Sequence, residues 1–321
     1  MKAMIFAAGL GTRLRPLTDH MPKALVPVAG KPMLERVILR LKEAGFNEIT
    51  VNIHHFGEQI IDFLRAHDNF GTEIHISDER GMLLDTGGGI KKARSFLDGQ
   101  EPFLVHNADI LTDIDLAGLY RHHLESDAES TLLVSERKTS RYLLFDDDYH
   151  LHGWINKSTG EVKPAGFDYR ETKYRELAFG GIHVISPSLF HLMDDGQWNG
   201  KFSIIPFYLS ACTKVHIQGY PLQGFRWFDI RRWGIAEEVI SGTLYAPASD
   251  GSMSNAIPTI DENWHVTYKG DTFDGKKINL RKFIDMAFDP MKDYLWPIPE
   301  SERIALPQIT QNPGYAGFAA E

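Results

Sequence analysis

The stretch KAMIFAAGLGTRLRP at residues 2–16 decides the fold. It opens with a short apolar run that ends at a glycine, a pattern typical of a buried parallel strand entering a loop. The apolar segment at residues 3–10 leads directly into Gly-Thr-Arg, whereas a signal peptide would continue towards a small-residue cleavage site. We therefore expect this strand to stay in the mature protein, and we expect the protein to be cytoplasmic.

Strand-like and helix-like segments alternate outward from this run. Apolar residues recur at spacings of three and four over residues 34–44, which predicts a helix that Gly45 ends, with Leu34, Val37, Ile38 and Leu41 on its buried face. Further strands are predicted at 48–54, 73–77 and 102–106, and further helices at 57–66 and 89–97. Such alternation predicts βαβ units, and hence an α/β fold with a Rossmann-like, mostly parallel sheet and flanking helices.

The pattern weakens after about residue 131. Shorter strands are predicted there at 131–136, 142–145, 150–155 and 179–185, followed by a helix at 203–213 and a strand at 214–220. Beyond about residue 245 the sequence is rich in Pro, Gly and Asp, and a single helix is predicted, at 280–286. This change of character predicts a loop-rich C-terminal extension.

Composition excludes several classes of protein. With 321 residues, 43% of them hydrophobic and 24% charged, the chain can bury the core of a soluble globular protein. No apolar run approaches the roughly 18 residues that a membrane helix needs. The formal charge of −9 argues against a protein that coats nucleic acid. Cys212 is the single cysteine, which rules out an intrachain disulfide, and we expect it in the core.

The loop after the first strand has the composition of a phosphate-binding loop. Gly9 and Gly11 let backbone N–H groups approach an anion. A dinucleotide fingerprint would need glycine in place of Leu14, and a Walker A loop would need Gly-Lys-Ser/Thr at its end. Arg13 and Lys23 add two cations, and cations beside a glycine loop suit a nucleoside triphosphate.

Four further motifs each have an ordinary structural explanation beside a functional one. LDTGGGI at 84–90 is either a helix cap or a ligand loop, and NAD at 107–109 is either an Asx turn or a metal site. FGGI at 179–182 is explained by close packing or by contact with a ligand. EVK at 161–163 is either an exposed charged hairpin or a pair of ligand-binding side chains.

Together, GLGTRLRPLT at 9–18 and PKALVPVAGKPML at 22–34 resemble the signature of sugar-1-phosphate nucleotidyltransferases. The similar subgroups are the mannose-1-phosphate guanylyltransferases and the N-acetylmuramate-1-phosphate uridylyltransferases, and the resemblance covers residues 1–225. It implies transfer of a nucleotidyl group from UTP or GTP to a sugar 1-phosphate, with UTP favoured and with release of pyrophosphate. Neither the sugar nor the oligomeric state follows from it.

The resemblance also implies a role for individual residues. It assigns contacts with the nucleotide to Ala8, Gly9, Gly11, Thr12, Thr86 and Gly87, the last two in a loop that binds the base. It assigns catalysis to Arg13 on the β/γ-phosphates, to Lys23 as a neutralising charge, and to Asp109. Magnesium is implied as the cofactor, held by Asp109 and Asp229. Contacts with the sugar phosphate are implied for Glu161, Lys163 and Gly181.

The C-terminal part departs from this family. FDIRRWGIAEEV at 228–239 and the segments that follow resemble the C-terminal part of SusD-like glycan-binding lipoproteins over residues 226–321, which implies a fusion with its joint near Arg226. Asp229 lies close to that joint. Three functions therefore stay open: a magnesium-dependent transferase, a catalytically impaired nucleotide binder, and a glycan-binding fusion fragment.

Overall fold

In the computed structural model, the described residues are 1–14, 17–28, 31–170, 173–221, 227–229, 259–260, 265–268 and 271–274. They divide into two compact units, the first comprising residues 1–11, 17–25 and 33–229, the second residues 12–16, 26–32 and 230–321. The predicted joint near Arg226 and the predicted helix at 280–286 lie outside the described residues.

The strands are, in chain order, β1 (Lys2–Phe6), β2 (Pro27–Val28), β3 (Lys31–Pro32), β4 (Glu48–Ile53), β5 (Glu73–Asp78), β6 (Phe103–Asn107), β7 (Ile110–Thr112), β8 (Ser130–Ser135), β9 (Arg141–Phe145), β10 (Leu151–Asn156), β11 (Glu161–Lys163), β12 (Arg175–Ile185), β13 (Ile217–Pro221), β14 (Trp227–Asp229), β15 (Thr259–Ile260), β16 (His265–Tyr268) and β17 (Asp271–Asp274). The helices are α1 (Met33–Glu43), α2 (Gly57–Ala66), α3 (Asp85–Lys92), α4 (Arg94–Leu97), α5 (Leu116–Glu125), α6 (Leu189–Met193) and α7 (Ile204–Ala211).

A ten-stranded sheet forms the centre of the first unit, in the order β11-β10-β9-β12-β6-β1-β4-β5, with β8 pairing both β12 and β13. Strands β6, β1, β4 and β5 run parallel to one another, as the alternating pattern predicts. Strand β12 joins this parallel group antiparallel to β6 and extends the sheet with the hairpin strands β9, β10 and β11. The carboxyl ends of β1, β4 and β6 therefore meet at one edge, where ligands of such sheets bind.

Helices cover both faces of the sheet. In β1, Ala3 and Ile5 pack into one core with α1, α2 and α5, whereas Met4 packs into a second core with α3, α4, α6 and α7. Both faces of β1 are buried, which explains why its sequence is continuously apolar and does not alternate. The predicted buried face of α1 is confirmed, since the four residues predicted to form it are at most 2% exposed: Leu34, Val37, Ile38 and Leu41.

Several helices differ from their sequence-based expectations. The helix predicted over 89–97 is divided into α3 and α4, and α3 begins four residues earlier, at Asp85. Helix α5 is not predicted at all, although Asp115 caps it by accepting a hydrogen bond of 2.8 Å from the Gly118 N–H. Glycine in its first turn weakens the intrinsic propensity of this segment, and burial of Leu119 and Tyr120 supplies the missing stability.

The second unit contains short elements only, within the part of it that is described. Residues Thr12–Leu14 form a single 3₁₀ turn, β2 pairs with β3, and β15, β16 and β17 form an antiparallel sheet. Cys212, which follows α7 in the first unit, is half-buried, and burial raises the pKa of its thiol to about 11. Among all the helices described, none has the length and apolar character needed to cross a membrane.

Candidate functional site

The glycine loop leaves the carboxyl end of β1 and is anchored by β4. The N–H groups of Ala7 and Ala8 donate to Oδ1 of Asn52 at 2.7 and 3.2 Å. Beyond them, Gly11 has a φ of +64°, a left-handed conformation that glycine adopts without strain. Thr18 closes the loop, because its hydroxyl donates to the Gly11 carbonyl at 2.8 Å. These hydrogen bonds hold the described part of the loop at its start, Ala7–Ala8, and at Gly11.

Gly11→Ala should destabilise the protein, and Gly9→Ala should not. A Cβ at position 11 would lie 2.8 Å from Thr18 Cγ2 and 3.1 Å from Lys23 Cβ, whereas a Cβ at position 9 has nothing within 4 Å. Left-handed strain and crowding together predict a loss of about 2–4 kcal/mol for Gly11→Ala. Urea unfolding of both variants measures the difference, and equal midpoints would contradict the assigned loop geometry.

Lys23 and Asp109 form an ion pair at this edge of the sheet. Lys23 begins a 3₁₀ turn, Lys23–Leu25, and Asp109 lies in the turn between β6 and β7. The side chains are 16% and 21% exposed, so both charges are partly shielded yet reachable from solvent. Since Gly11 also lies against Lys23, the structure brings together the predicted phosphate loop, the predicted neutralising cation and the predicted metal ligand.

The turn that carries Asp109 is held rigidly. The N–H of Ala108 donates to the Phe6 carbonyl at 3.1 Å, which ties this turn to the end of β1. His106 is buried in β6, with Nδ1 at 2.8 Å from the Asn107 carbonyl, and desolvation lowers its pKa to about 4. The imidazole is therefore neutral at pH 7, so it adds no positive charge beside Asp109.

Gly181 of β12 packs directly against the same turn. Its φ is +71°, and a Cβ there would lie 2.4 Å from Ile110 Cδ1 and 2.6 Å from Asn107 Nδ2. Close packing, one of the two explanations given by the sequence, therefore accounts for this glycine by itself. The contact also places Gly181 beside the residues that flank Asp109, so its predicted role near the sugar phosphate stays a prediction.

Gly181→Ala should reduce both stability and activity, and Gly166→Ala supplies the matched control. Gly166 has a similar φ of +80° but nothing within 4 Å of its would-be Cβ. Gly166→Ala should therefore cost only the backbone strain, about 1 kcal/mol, while Gly181→Ala should cost roughly 1–3 kcal/mol more and displace the Asn107–Ile110 turn. Thermal unfolding and kcat would report the difference. Equal effects of the two substitutions would show that the contact with the turn is unimportant.

The predicted base-binding segment is the first turn of α3. The N–H groups of Gly87 and Gly88 donate to the Phe202 carbonyl at 2.9 and 3.0 Å, and a Cβ on Gly87 would lie 2.4 Å from the Phe202 ring. The Thr86 hydroxyl accepts a hydrogen bond of 2.9 Å from the Ile204 N–H at the start of α7. These contacts explain the glycines by packing, and binding of the base by Thr86 and Gly87 stays a prediction.

Glu161 and Lys163 lie on β11, the edge strand of the large sheet. Their side chains pair with each other at 3.2 Å and are 52% and 45% exposed. The Lys163 ammonium also lies 5.0 Å from the centre of the Trp154 ring. They form an exposed charged hairpin, and among the contacts described none joins them to the Lys23–Asp109 pair.

Two predicted residues, Arg13 and Asp229, are described only through their backbone. Thr12 and Arg13 form part of the 3₁₀ turn in the second unit, and the Arg13 side chain lies outside the described residues. Asp229 ends β14, where it pairs with Ile110 of β7, the residue directly after Asp109. The backbone thus brings the two predicted metal ligands to neighbouring positions, while the Asp229 side chain lies outside the described residues.

Sequence analysis did not identify several polar side chains that lie near this edge of the sheet. Asn52 holds the glycine loop, and Glu79, only 1% exposed, holds Asn52. Arg137 lies over the Trp227 ring at 4.2 Å, and the Trp227 indole donates to the Gly180 carbonyl at 2.7 Å. An Asn within the apolar strand VNI and a Glu directly after a strand were available signals, since buried polar side chains need a partner.

Two family models match different parts of the chain. Residues 2–145 match the nucleotidyl transferase family, and this matched segment contains the glycine loop, Lys23 and Asp109. Residues 222–315 match the SusD family. The second match begins close to the joint that the sequence predicts near Arg226.

Curated relatives extend the first match. An N-acetylmuramate alpha-1-phosphate uridylyltransferase from Neisseria meningitidis is 50% identical over 121 residues, which are 38% of this chain and 52% of that protein. The enzyme of the same name from Caulobacter vibrioides is 35% identical over 243 residues, covering 71% of this chain and 90% of that protein.

A solved structure has a similar fold. HddC from Yersinia pseudotuberculosis superimposes with a TM-score of 0.56 at 23% identity, covering 74% of this chain and 96% of that one. The α/β fold predicted from the sequence is thereby confirmed, and the Caulobacter relative matches along nearly its whole length. The chain belongs to the family of sugar-1-phosphate nucleotidyltransferases.

Proposed function

We propose that this protein transfers a uridylyl group from UTP to a sugar 1-phosphate, giving a UDP-sugar and pyrophosphate. The observation that carries the proposal is the Lys23–Asp109 ion pair beside Gly11 at the carboxyl end of the parallel strands. The uridylyltransferase relatives favour UTP over GTP, and they make N-acetylmuramate 1-phosphate the first sugar substrate to test.

In the proposed reaction, an oxygen of the sugar phosphate attacks the α-phosphorus in line. The bond to the bridging oxygen of the β-phosphate breaks, and pyrophosphate leaves with that electron pair. The attacking phosphate oxygen is already ionised at pH 7, so the reaction needs no general base. Catalysis then rests on positioning the two anions and on neutralising the charge that builds up between them.

The residues of the site divide these tasks between them. Backbone N–H groups of the glycine loop, from Gly9 to Thr12, are proposed to bind the phosphates, with Ala8 contacting the nucleotide and Arg13 on the β- and γ-phosphates. Lys23 is proposed to neutralise charge as pyrophosphate departs. Without nucleotide its ammonium pairs with Asp109, and a bound triphosphate would offer it a stronger anionic partner.

Asp109 and Asp229 are proposed to hold Mg²⁺. Two carboxylates suffice for this ion, since Mg²⁺ usually takes one or two carboxylates and keeps several waters. Asp109 offers a partly exposed carboxylate, and Asp229 stands at a neighbouring backbone position. The bound ion would offset the repulsion between the sugar phosphate and the α-phosphate.

Contacts with the sugar phosphate are proposed for Glu161, Lys163 and Gly181, and contacts with the base for Thr86 and Gly87. The packing of Gly181 against the Asp109 turn supports a position close to the reacting phosphates. We further propose a cytoplasmic enzyme that binds neither nucleic acid nor membrane, in keeping with its net charge of −9.

The proposed domains are a transferase domain at residues 1–225, completed by Asp229, and a SusD-like fragment at residues 226–321. The match of residues 222–315 to the SusD family supports a second candidate function, glycan binding by the fusion. A third candidate, nucleotide binding without catalysis, would follow if the replaced C-terminal segment disturbs Asp229.

Pyrophosphate release from the full chain separates these functions. UTP and GTP are each offered with a panel of sugar 1-phosphates in the presence of Mg²⁺, and we expect release with UTP and N-acetylmuramate 1-phosphate. Release with GTP and mannose 1-phosphate alone would reassign the nucleotide. UTP binding without any release would support the impaired binder, and saccharide binding without nucleotide binding would support the glycan-binding function.

A further inference from the structure

A chain of buried hydrogen bonds joins the two segments that are predicted to bind the nucleotide. It starts at the Ala7 and Ala8 N–H groups, which donate to Oδ1 of Asn52 at 2.7 and 3.2 Å. Nδ2 of Asn52 donates to Oε1 of Glu79 at 2.8 Å. Oε2 of Glu79 accepts from the Leu84 N–H at 3.0 Å, directly before α3 begins.

This chain is fully enclosed. Asn52 is 2% exposed and Glu79 is 1% exposed. Gly89 of α3 leaves room for the carboxylate, because a Cβ there would lie 2.8 Å from Oε1 of Glu79. The Glu79 backbone is held as well, since its N–H donates to the Ile53 carbonyl at 2.8 Å and its own carbonyl lies 2.7 Å from His54 Nδ1.

The direction of every hydrogen bond in the chain is determined by its ends. Backbone N–H groups can only donate, so Asn52 must present its oxygen to the loop and its NH₂ to Glu79. Leu84 also donates, so both oxygens of Glu79 must accept. An ionised carboxylate meets this requirement, whereas a glutamine would point its NH₂ at one of two donors in either orientation.

We propose that Asn52 and Glu79 are positioning residues that fix the glycine loop relative to the start of α3, and so set the geometry in which the enzyme binds the nucleoside triphosphate. The inference rests on the proposed function, because it takes these two segments as the contacts for the phosphates and the base. Neither side chain reaches solvent, so both act through the backbone that they hold.

The proposal is tested by moving the carboxylate from position 79 to position 52 and the amide from position 52 to position 79. Glu79→Gln leaves one buried donor without an acceptor, and we expect UTP affinity to fall roughly tenfold or more. Asn52→Asp sets two acceptor carboxylates against each other, with a similar loss. In N52D/E79Q the carboxylate at position 52 accepts from the loop N–H groups and from the NH₂ group of the new amide at position 79. The oxygen of that amide accepts from the Leu84 N–H. Every donor again has an acceptor, so UTP affinity should return to within about threefold of wild type.

Isothermal titration with UTP and steady-state kinetics with both substrates provide the readouts. We expect KM for UTP to follow the affinity, while KM for the sugar 1-phosphate stays within about twofold, a split that general destabilisation would not produce. Glu58→Gln is the matched control: it removes a nearby exposed carboxylate that pairs with Arg80 at 2.7 Å, and it should leave UTP affinity unchanged.

Each outcome decides the proposal. Unchanged UTP affinity in Glu79→Gln, equal rises of both KM values, or a double variant no better than the single ones would overturn it. If Glu79→Gln does not fold, a folded double variant that binds UTP supports the proposal, and an unfolded one overturns it. If the wild-type protein binds UTP but transfers no uridylyl group, the proposed function is refuted. The positioning role of Asn52 and Glu79 is still tested in that case, because the titrations measure UTP affinity without turnover.

Discussion

Asp109→Asn should reduce turnover by at least about 10³-fold while the protein stays folded, because the amide cannot supply the anionic oxygen that a magnesium ion requires. The substituted side chain is nearly isosteric and lies in a turn held by the Ala108–Phe6 hydrogen bond, so the backbone should not move. Steady-state pyrophosphate release across a range of Mg²⁺ concentrations measures the loss.

The control for this variant is Asp147→Asn, which removes an equal charge from a side chain that is 95% exposed and pairs only peripherally with Arg175 at 3.3 Å. It should retain full activity. Thermal unfolding of both variants should match the wild type within a few degrees. Near-full activity of Asp109→Asn at saturating Mg²⁺ would show that this carboxylate holds no metal ion.

Lys23→Ala should lower kcat by about 10²–10³-fold, equivalent to about 2.7–4 kcal/mol, the usual cost of losing one fixed electrostatic donor. The Lys23 side chain is placed by the 3₁₀ turn Lys23–Leu25 and is 16% exposed, so solvent screens its charge only partly. UTP binding should weaken much less than kcat falls, because the contact between the ammonium and a phosphate oxygen strengthens as negative charge builds up on the departing pyrophosphate.

Two further measurements separate the roles that Lys23 could have. Lys23→Arg keeps the charge but spreads it over a larger group, so part of the activity should remain. A rise in KM alone, with kcat preserved, would instead assign Lys23 to uniform binding of the ground state. Because Lys23 and Asp109 contact each other, the losses of kcat caused by Lys23→Ala and by Asp109→Asn should not add when the two substitutions are combined.

The parallel centre of the fold was predictable because its strands and helices carry strong periodic patterns. Strand β1 is buried on both faces and reads as one apolar run, and α1 places its four core residues at helical spacing. The approach of Gly11 and Asp109 was predictable as well, because both follow parallel strands whose carboxyl ends meet at one edge. The place of Lys23 beside them followed from the resemblance to the family. For these residues, local sequence and overall fold agree.

Other features depend on contacts between distant segments, which no local pattern reveals. The glycine triplet at 87–89 lowers helix propensity, yet it lies inside α3. Glycine is needed at positions 87 and 89 because Phe202 and Glu79 occupy the space that a side chain would need. The partnership of Asn52 and Glu79 spans 27 positions in the chain. Close approach of this kind belongs to tertiary structure, and the sequence shows only that small or polar residues are present.

A crystal structure of the protein with Mg²⁺ and a non-hydrolysable UTP analogue tests the account most directly. We predict that the triphosphate lies on the N–H groups of the loop at residues 9–12, with the Lys23 ammonium on a phosphate oxygen and the Asp109 carboxylate on the metal ion. A triphosphate bound away from this loop, with Lys23 and Asp109 still paired to each other, would contradict it.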